Sequence, residues 1–275
     1  MKVTCEICPH HCSLENAQTG FCHGRANRNG KIICTNYGRL TSMALDPIEK
    51  KPLARYRPGT RILSVGSYGC NLNCPFCQNH SISMATEESA ETVFVPPEAL
   101  VQKALELVPR GNIGIAYTYN EPLISYEYVT DCARLAHENG LINVLVTNGN
   151  ICEEPLRELL PLIDAMNIDL KGFTDDFYKK LHGDLETVKQ TISAASESCH
   201  VEVTTLIIPE ENDGPAEMED LSAWLAGINA DIPLHISRFF PRYRYGNKCP
   251  TPVDTVYSLA EVARRHLRYV YTGNC

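Results

Sequence analysis

Positive charge is the first thing in short supply in this 275-residue chain: 25 Lys and Arg stand against 33 Asp and Glu, a formal net charge of −8. That balance argues against broad electrostatic capture of nucleic acid or of an anionic membrane. No apolar run reaches the length of a membrane span, and the opening Met1-Lys-Val-Thr-Cys5 has no apolar stretch of the kind that begins a signal peptide. Repeats and low-complexity tracts are also missing. The expectation is a cytoplasmic protein with no membrane and no nucleic-acid partner. Its length suits one domain, or one domain with a small appendage. Its 44% hydrophobic content is enough to build a sizeable core.

Cysteine, by contrast, is abundant: the chain has 13. In a reducing compartment, clustered thiols read first as metal ligands. Cys5, Cys8, Cys12, Cys22 and Cys34 crowd the N-terminus, and Cys70, Cys74 and Cys77 form a second group. The remainder are scattered, with Cys132 in an apolar helical stretch where a buried, inert thiol is expected.

From Arg61 onward, short β-branched runs alternate with stretches of helical spacing. The runs are Arg61–Gly66, Asn112–Tyr117, Ile142–Thr147, Asp164–Leu170, His200–Ile208, Leu234–Ser237 and Arg268–Tyr271. Between them, Pro96-Pro97-Glu98 opens one helical stretch, Gly140 closes another, and Pro209, Pro233 and Pro250 mark loops. Strand–helix alternation at this cadence predicts a parallel sheet with crossover helices. There are too few units for a closed eightfold barrel, so the prediction is an α/β fold, a partial (β/α)6 TIM-like barrel over residues 61–275. Ligands of such sheets gather at the C-terminal strand ends. Residues 1–60 are predicted to form a small cysteine-rich lobe with a metal site, and Asn29-Gly30 marks a hairpin between Asn27 and Thr35.

The segment Cys70-Asn-Leu-Asn-Cys74-Pro-Phe-Cys77 directly follows the first of these strands. Soft thiolates there select an iron–sulfur cluster, zinc or copper. The competing possibility is a closed structural zinc site with His80 as fourth ligand, in a non-catalytic zinc-binding interaction protein. In the lobe, Cys5, Cys8, Cys12 and Cys22 have two short spacings and form a second candidate metal site. It would hold structural zinc or a second iron–sulfur cluster, with His10, His11 or His23 as substitutes; unligated thiols are the alternative. The loop Arg238-Phe-Phe-Pro-Arg242-Tyr-Arg244-Tyr-Gly-Asn-Lys248 interleaves cations with aromatics, and in an acidic protein it reads as a solvated rim.

The three-cysteine spacing, with Phe76 before its last member, resembles the radical S-adenosylmethionine superfamily. Further segments match in order. Tyr117-Thr-Tyr-Asn120-Glu121-Pro122 resembles that family's Gly-Gly-Glu-Pro segment, with Tyr119 and Asn120 in place of the glycines. Thr147-Asn148-Gly149 and Asp169-Leu-Lys171-Gly end the next two strands, and His235 lies in a later one. Within the superfamily, Ala44-Leu-Asp46-Pro47-Ile-Glu-Lys-Lys51-Pro52-Leu is similar to the pyruvate formate-lyase activating enzyme-like branch, and in it to the AmmeMemoRadiSam-system enzymes.

The resemblance implies a [4Fe–4S] cluster on Cys70, Cys74 and Cys77, with one iron open to S-adenosylmethionine. Phe76, Asn120, Glu121, Thr147, Asn148, Asp169, Lys171 and His235 would bind that cofactor. Reductive cleavage to a 5′-deoxyadenosyl radical and hydrogen abstraction from a protein or small-molecule substrate would follow, as in glycyl-radical activation. The electron would come from a donor such as flavodoxin or ferredoxin.

Overall fold

The seven apolar runs form seven strands of one sheet in the computed structural model, which describes residues 1–275. The sheet has eight strands: β1 Ser42–Pro47, β2 Arg61–Gly66, β3 Asn112–Tyr117, β4 Ile142–Thr147, β5 Ala165–Asp169, β6 His200–Ile207, β7 Leu234–Arg238 and β8 Val270–Gly273. Each strand lies beside its neighbours in sequence. β1 pairs with β2 antiparallel, and every later pair is parallel. Parallel neighbours need crossovers. These are the helices α1 Pro97–Glu106, α2 Tyr126–Glu138, α3 Glu153–Leu159, α4 Asp175–Lys180, α5 Leu185–Ser196, α6 Pro215–Asn229 and α7 Val253–Ala263. The result is the expected partial barrel, an α/β fold open between β1 and β8.

Local chemistry explains where the helices begin. Thr174 and Asp184 cap α4 and α5 by accepting from the N–H groups of Phe177 and Thr187. Pro97 and Pro215 open α1 and α6, where the missing N–H costs nothing. The helices pack on the outer face of the sheet. Leu63, Ile115, Leu145, Ile168, Val203 and Ile236 meet helical residues such as Val101, Val129, Ile192 and Leu221 in one continuous core. Each buried aliphatic side chain contributes about 2 kcal/mol. Cys132 is completely buried here, a packing residue as expected.

Residues of the other strand parity face inward. Ile62, Ala116, Val144 and Ala165 meet Ile48 and Leu53, so the segment after β1 plugs the N-terminal end of the barrel. Polar groups fasten this floor. Asn167 Nδ2 donates to the Pro52 carbonyl at 2.9 Å, and the Glu202 carboxylate accepts from the N–H groups of Ala54 and Arg55 at 2.9 and 2.8 Å. The opposite end stays open.

Two boundaries differ by more than one residue from the sequence expectation. The last strand is Val270–Gly273, because after α7 the chain keeps turning through Leu267 and is held by an Arg268 N–H to Ala230 carbonyl bond before it extends. The segment expected as lobe also divides. Its first part makes short antiparallel pairs, including Arg25–Arg28 with Lys31–Cys34 around Asn29 and Gly30, both at positive φ. Its second part supplies β1 and the floor, because Met43 and Leu45 continue the pairing beyond β2.

Candidate active site

The loop following β2 is held in place from several directions. Asn120 accepts from the Ser67 N–H at 2.9 Å and donates to the carbonyls of Tyr68 and Gly69 at 3.2 and 3.1 Å. Asn71 donates to the Asn150 carbonyl at 2.7 Å, and the Cys70 N–H donates to the Cys22 carbonyl at 3.1 Å. Gly69 has a φ of 86°, and a Cβ there would stand 2.3 Å from the Cys22 carbonyl oxygen, so only glycine lets lobe and loop meet.

Beneath the loop opens a cavity of about 370 Å³ at the C-terminal strand ends, a size ordinary for small-molecule sites. Cys70, Cys74 and Cys77 all line it. Cys70 Sγ accepts from the Leu72 N–H at 3.4 Å and from Asn148 Nδ2 at 3.7 Å; Cys77 Sγ lies 3.2 Å from Ser83 Oγ. Burial pushes the Cys74 thiol up to about 12, so a thiolate there needs a cation beside it.

Three soft donors on one wall, supported by N–H groups, fit an iron–sulfur cluster. The fourth ligand of a closed zinc site is not supplied. His80 turns away to stack on Tyr243 at 4.5 Å, with Nδ1 3.3 Å from the Cys77 carbonyl, and it does not line the cavity.

Seven of the eight residues expected around the cofactor line this cavity: Phe76, Asn120, Glu121, Thr147, Asn148, Asp169 and Lys171. Their hydrogen bonds divide them into braces and free groups. Glu121 is buried; its carboxylate accepts from the Leu123 N–H at 3.0 Å, Thr147 Oγ1 at 2.7 Å and the Asn148 N–H at 2.8 Å. Burial outweighs these bonds and pushes its acid up to about 7. Asn148 Nδ2 donates to Asn71 Oδ1 at 2.8 Å, and its Oδ1 accepts from the Asn150 N–H at 2.9 Å, so it ties β4 to the loop. Lys171 Nζ pairs with Asp169 Oδ2 at 2.6 Å on the cavity wall. Phe76 packs against Phe177 and Tyr245 with centroids at 6.3 and 6.2 Å, in an apolar shell around the thiols.

His235 is the eighth, and the structure does not bring it to the cavity. Its Nε2–H donates to Glu202 Oε2 at 2.6 Å, above the barrel floor, and its ring stacks on Tyr271.

The cavity also has a wall that motif reading passed over. Lys51, only 2% exposed, lies 2.9 Å from Asp46 Oδ2 and 4.7 Å above the Tyr119 ring, while Tyr119 donates its hydroxyl to the same carboxylate at 2.7 Å. Tyr119 sits at a φ of 73°, the left-handed region that glycine favours, at one of the two positions where the family pattern has glycine. The signal available was the pair of lysines between Leu45 and Leu53 in an otherwise apolar floor segment.

In the lobe, Cys5, Cys8, Cys12 and Cys22 line one small cavity together with His10 and Arg25. His11 and His23 do not line it; His11 pairs with Glu6 at 2.9 Å. The basic loop runs beside the cysteine loop, its Tyr245 N–H donating to the Pro75 carbonyl at 3.1 Å, with Arg242 and Arg244 exposed.

The sequence pattern of the radical SAM superfamily matches residues 64–222, more than half of the chain. The chain belongs to the radical SAM superfamily. It is 41% identical over 278 residues to the uncharacterized protein MJ0808 of Methanocaldococcus jannaschii, covering 99% of this chain and 81% of that protein. Identity to the pyruvate formate-lyase-activating enzyme of Clostridium pasteurianum is 28% over 165 residues, 56% of this chain and 67% of that enzyme. The structure of QueE from Escherichia coli superposes with a TM-score of 0.51 at 16% identity, over 86% of this chain and 93% of that one. The last agreement concerns the fold. The radical SAM assignment makes the chain an enzyme, in a superfamily that uses a [4Fe–4S] cluster and S-adenosylmethionine. No helix is long and apolar enough to cross a membrane.

Proposed function

We propose that this radical SAM enzyme abstracts a hydrogen atom from a partner protein, in the manner of glycyl-radical activation, with flavodoxin or ferredoxin as electron donor. The observation that carries the reading is the convergence of Cys70, Cys74 and Cys77 on one cavity whose other walls hold Glu121, Asp169 and Lys171. The cluster would supply one electron to the sulfonium of S-adenosylmethionine, whose carbon–sulfur bond breaks to give methionine and a 5′-deoxyadenosyl radical.

The chain's own residues do the rest. The three thiols hold iron and leave one position without a protein ligand. Asp169 offers acceptors for ribose hydroxyls, and Lys171 offers an ammonium to the methionyl carboxylate. Glu121 sets the strand ends and presents negative charge toward the methionyl ammonium. Phe76 and its apolar neighbours keep water from the thiols. The names of the activating-enzyme relatives support a protein substrate; the four thiols of the lobe form a second metal site in this reading.

The test is anaerobic reconstitution with iron and sulfide, followed by reduction in the presence of S-adenosylmethionine. Wild type should form 5′-deoxyadenosine and Cys74→Ala none. Equal, null results for the two proteins would defeat the enzymatic reading. A glycyl-radical signal in a co-purifying partner would establish the substrate class.

A further inference from the structure

We infer that Cys5, Cys8, Cys12 and Cys22 hold one tetrahedral zinc-class cation, with Arg25 as its outer partner, and that this ion shapes the loop carrying Cys70, Cys74 and Cys77. The inference deepens the reading of the lobe given above and stands apart from the chemistry of the large cavity.

Size decides between a single ion and a cluster. The four thiols are free of disulfides and line a small cavity of about 10 Å³. That is room for one atom-sized guest, and far too little for a core of irons and sulfides. Four sulfur donors around one ion match the closed tetrahedral arrangement of structural zinc. The side chains as placed do not yet meet at one point; ion binding draws them inward and releases their protons to solvent.

Arg25 supplies an independent sign. The residue is 5% exposed and lines the same cavity. Its terminal nitrogens are engaged, by Glu127 at 2.8 and 2.6 Å and by the Ile124 carbonyl at 3.1 Å. Its Nε is buried with no partner. Leaving such a donor unmet in a buried position is costly. A metal-bound thiolate beside it is an acceptor and carries the negative charge that the guanidinium complements.

The link to the large cavity is direct. The Cys22 carbonyl accepts from the Cys70 N–H at 3.1 Å, and His10, between Cys8 and Cys12, donates Nε2 to the Asn71 carbonyl at 2.8 Å. An ion that fixes Cys22 and the Cys8–Cys12 turn therefore fixes two points on the cysteine loop.

The full-length chain with Cys70, Cys74 and Cys77 changed to Ala should bind one equivalent of cobalt(II), with the visible bands of a tetrahedral tetrathiolate. Wild type should carry one zinc in addition to its cluster iron, and Cys12→Ser should lose the zinc. Removing zinc from the holoprotein by chelation should speed iron release by about tenfold. A lobe disulfide by thiol counting, iron bound by the triple variant, or no cobalt signal from it would overturn the zinc assignment. Iron release unchanged by chelation would overturn the coupling. Either failure would leave the enzymatic reading intact as long as the wild-type protein still forms 5′-deoxyadenosine.

Discussion

The Glu121 carboxylate and the Asn148 N–H meet at 2.8 Å, joining the chain just beyond β3 to the chain just beyond β4. With Thr147 and Leu123 also donating, one buried acid sets the spacing of two strand ends on the cavity wall.

That arrangement gives Glu121 a pH signature. Its acid moves from 4.5 up to about 7, chiefly through burial. The folded chain then keeps the proton after the unfolded chain has lost it, so stability falls as pH rises from about 4.5 to 7, by a total on the order of 3 kcal/mol. Glu121→Gln cannot ionise and should lack this fall. Urea unfolding of both proteins across that window checks it: the advantage of wild type over the variant should shrink as pH rises. A pH-independent difference would contradict the assignment.

Asp46 and Lys51 give an asymmetry. Two amine and hydroxyl donors hold the Asp46 acid down to about 2 in spite of burial, and Lys51 is almost fully enclosed. Asp46→Asn strands a buried ammonium and should cost about 3–5 kcal/mol. The double change Asp46→Asn with Lys51→Met removes the stranded charge and should recover much of that loss. Chemical denaturation of the three variants provides the comparison; a double variant as unstable as Asp46→Asn alone would show that Lys51 is not the group left unpaired.

His235 separates floor from cavity. Its partner Glu202 also accepts from His200 and two backbone N–H groups, and these bonds hold the acid down to about 2 against the effect of burial. The stability that Glu202 gives is therefore full above its unfolded value of 4.5 and is lost as pH falls toward 2. His235→Gln should cost about 1 kcal/mol by denaturation and leave S-adenosylmethionine cleavage within a fewfold of wild type. Lys171→Met should instead raise the concentration of S-adenosylmethionine needed for half-maximal cleavage by at least about tenfold. Equal effects of the two changes on cleavage would place His235 back among the cofactor residues.

Strand identity was legible because each parallel strand is a short β-branched run, and Arg61–Gly66, Asn112–Tyr117 and Ile142–Thr147 begin and end where the sequence places them. The site was legible for a related reason: a chain with parallel strands brings its strand-end motifs to one rim. Depth was not legible. His235 and Ser237 share a strand face, yet only Ser237 reaches the cavity, because alternation gives the face of a residue and not its height. Nor could spacing show that Asn148 spends its amide on Asn71, or that β1 leaves the lobe for the sheet, since both depend on contacts far apart in sequence.

Asn120 offers the sharpest test of the loop itself. It stands where the family pattern has glycine, and its amide clasps the chain leading into the loop, accepting from Ser67 and donating to Tyr68 and Gly69. Asn120→Ala leaves the Ser67 N–H and the Gly69 carbonyl short of partners just before Cys70, while the Tyr68 carbonyl keeps its bond from Asn36 at 2.8 Å, at a cost of about 1–3 kcal/mol. Asn120→Gly, which restores the family residue, creates the same shortage and adds backbone freedom. Both variants should therefore bind iron less firmly than wild type, with Asn120→Gly the weaker, although all three thiols are untouched. Iron content after anaerobic desalting reads this directly. Wild-type iron retention in both variants would mean that the loop keeps its shape without the amide, and that the lobe contact at Cys22 is sufficient to hold it.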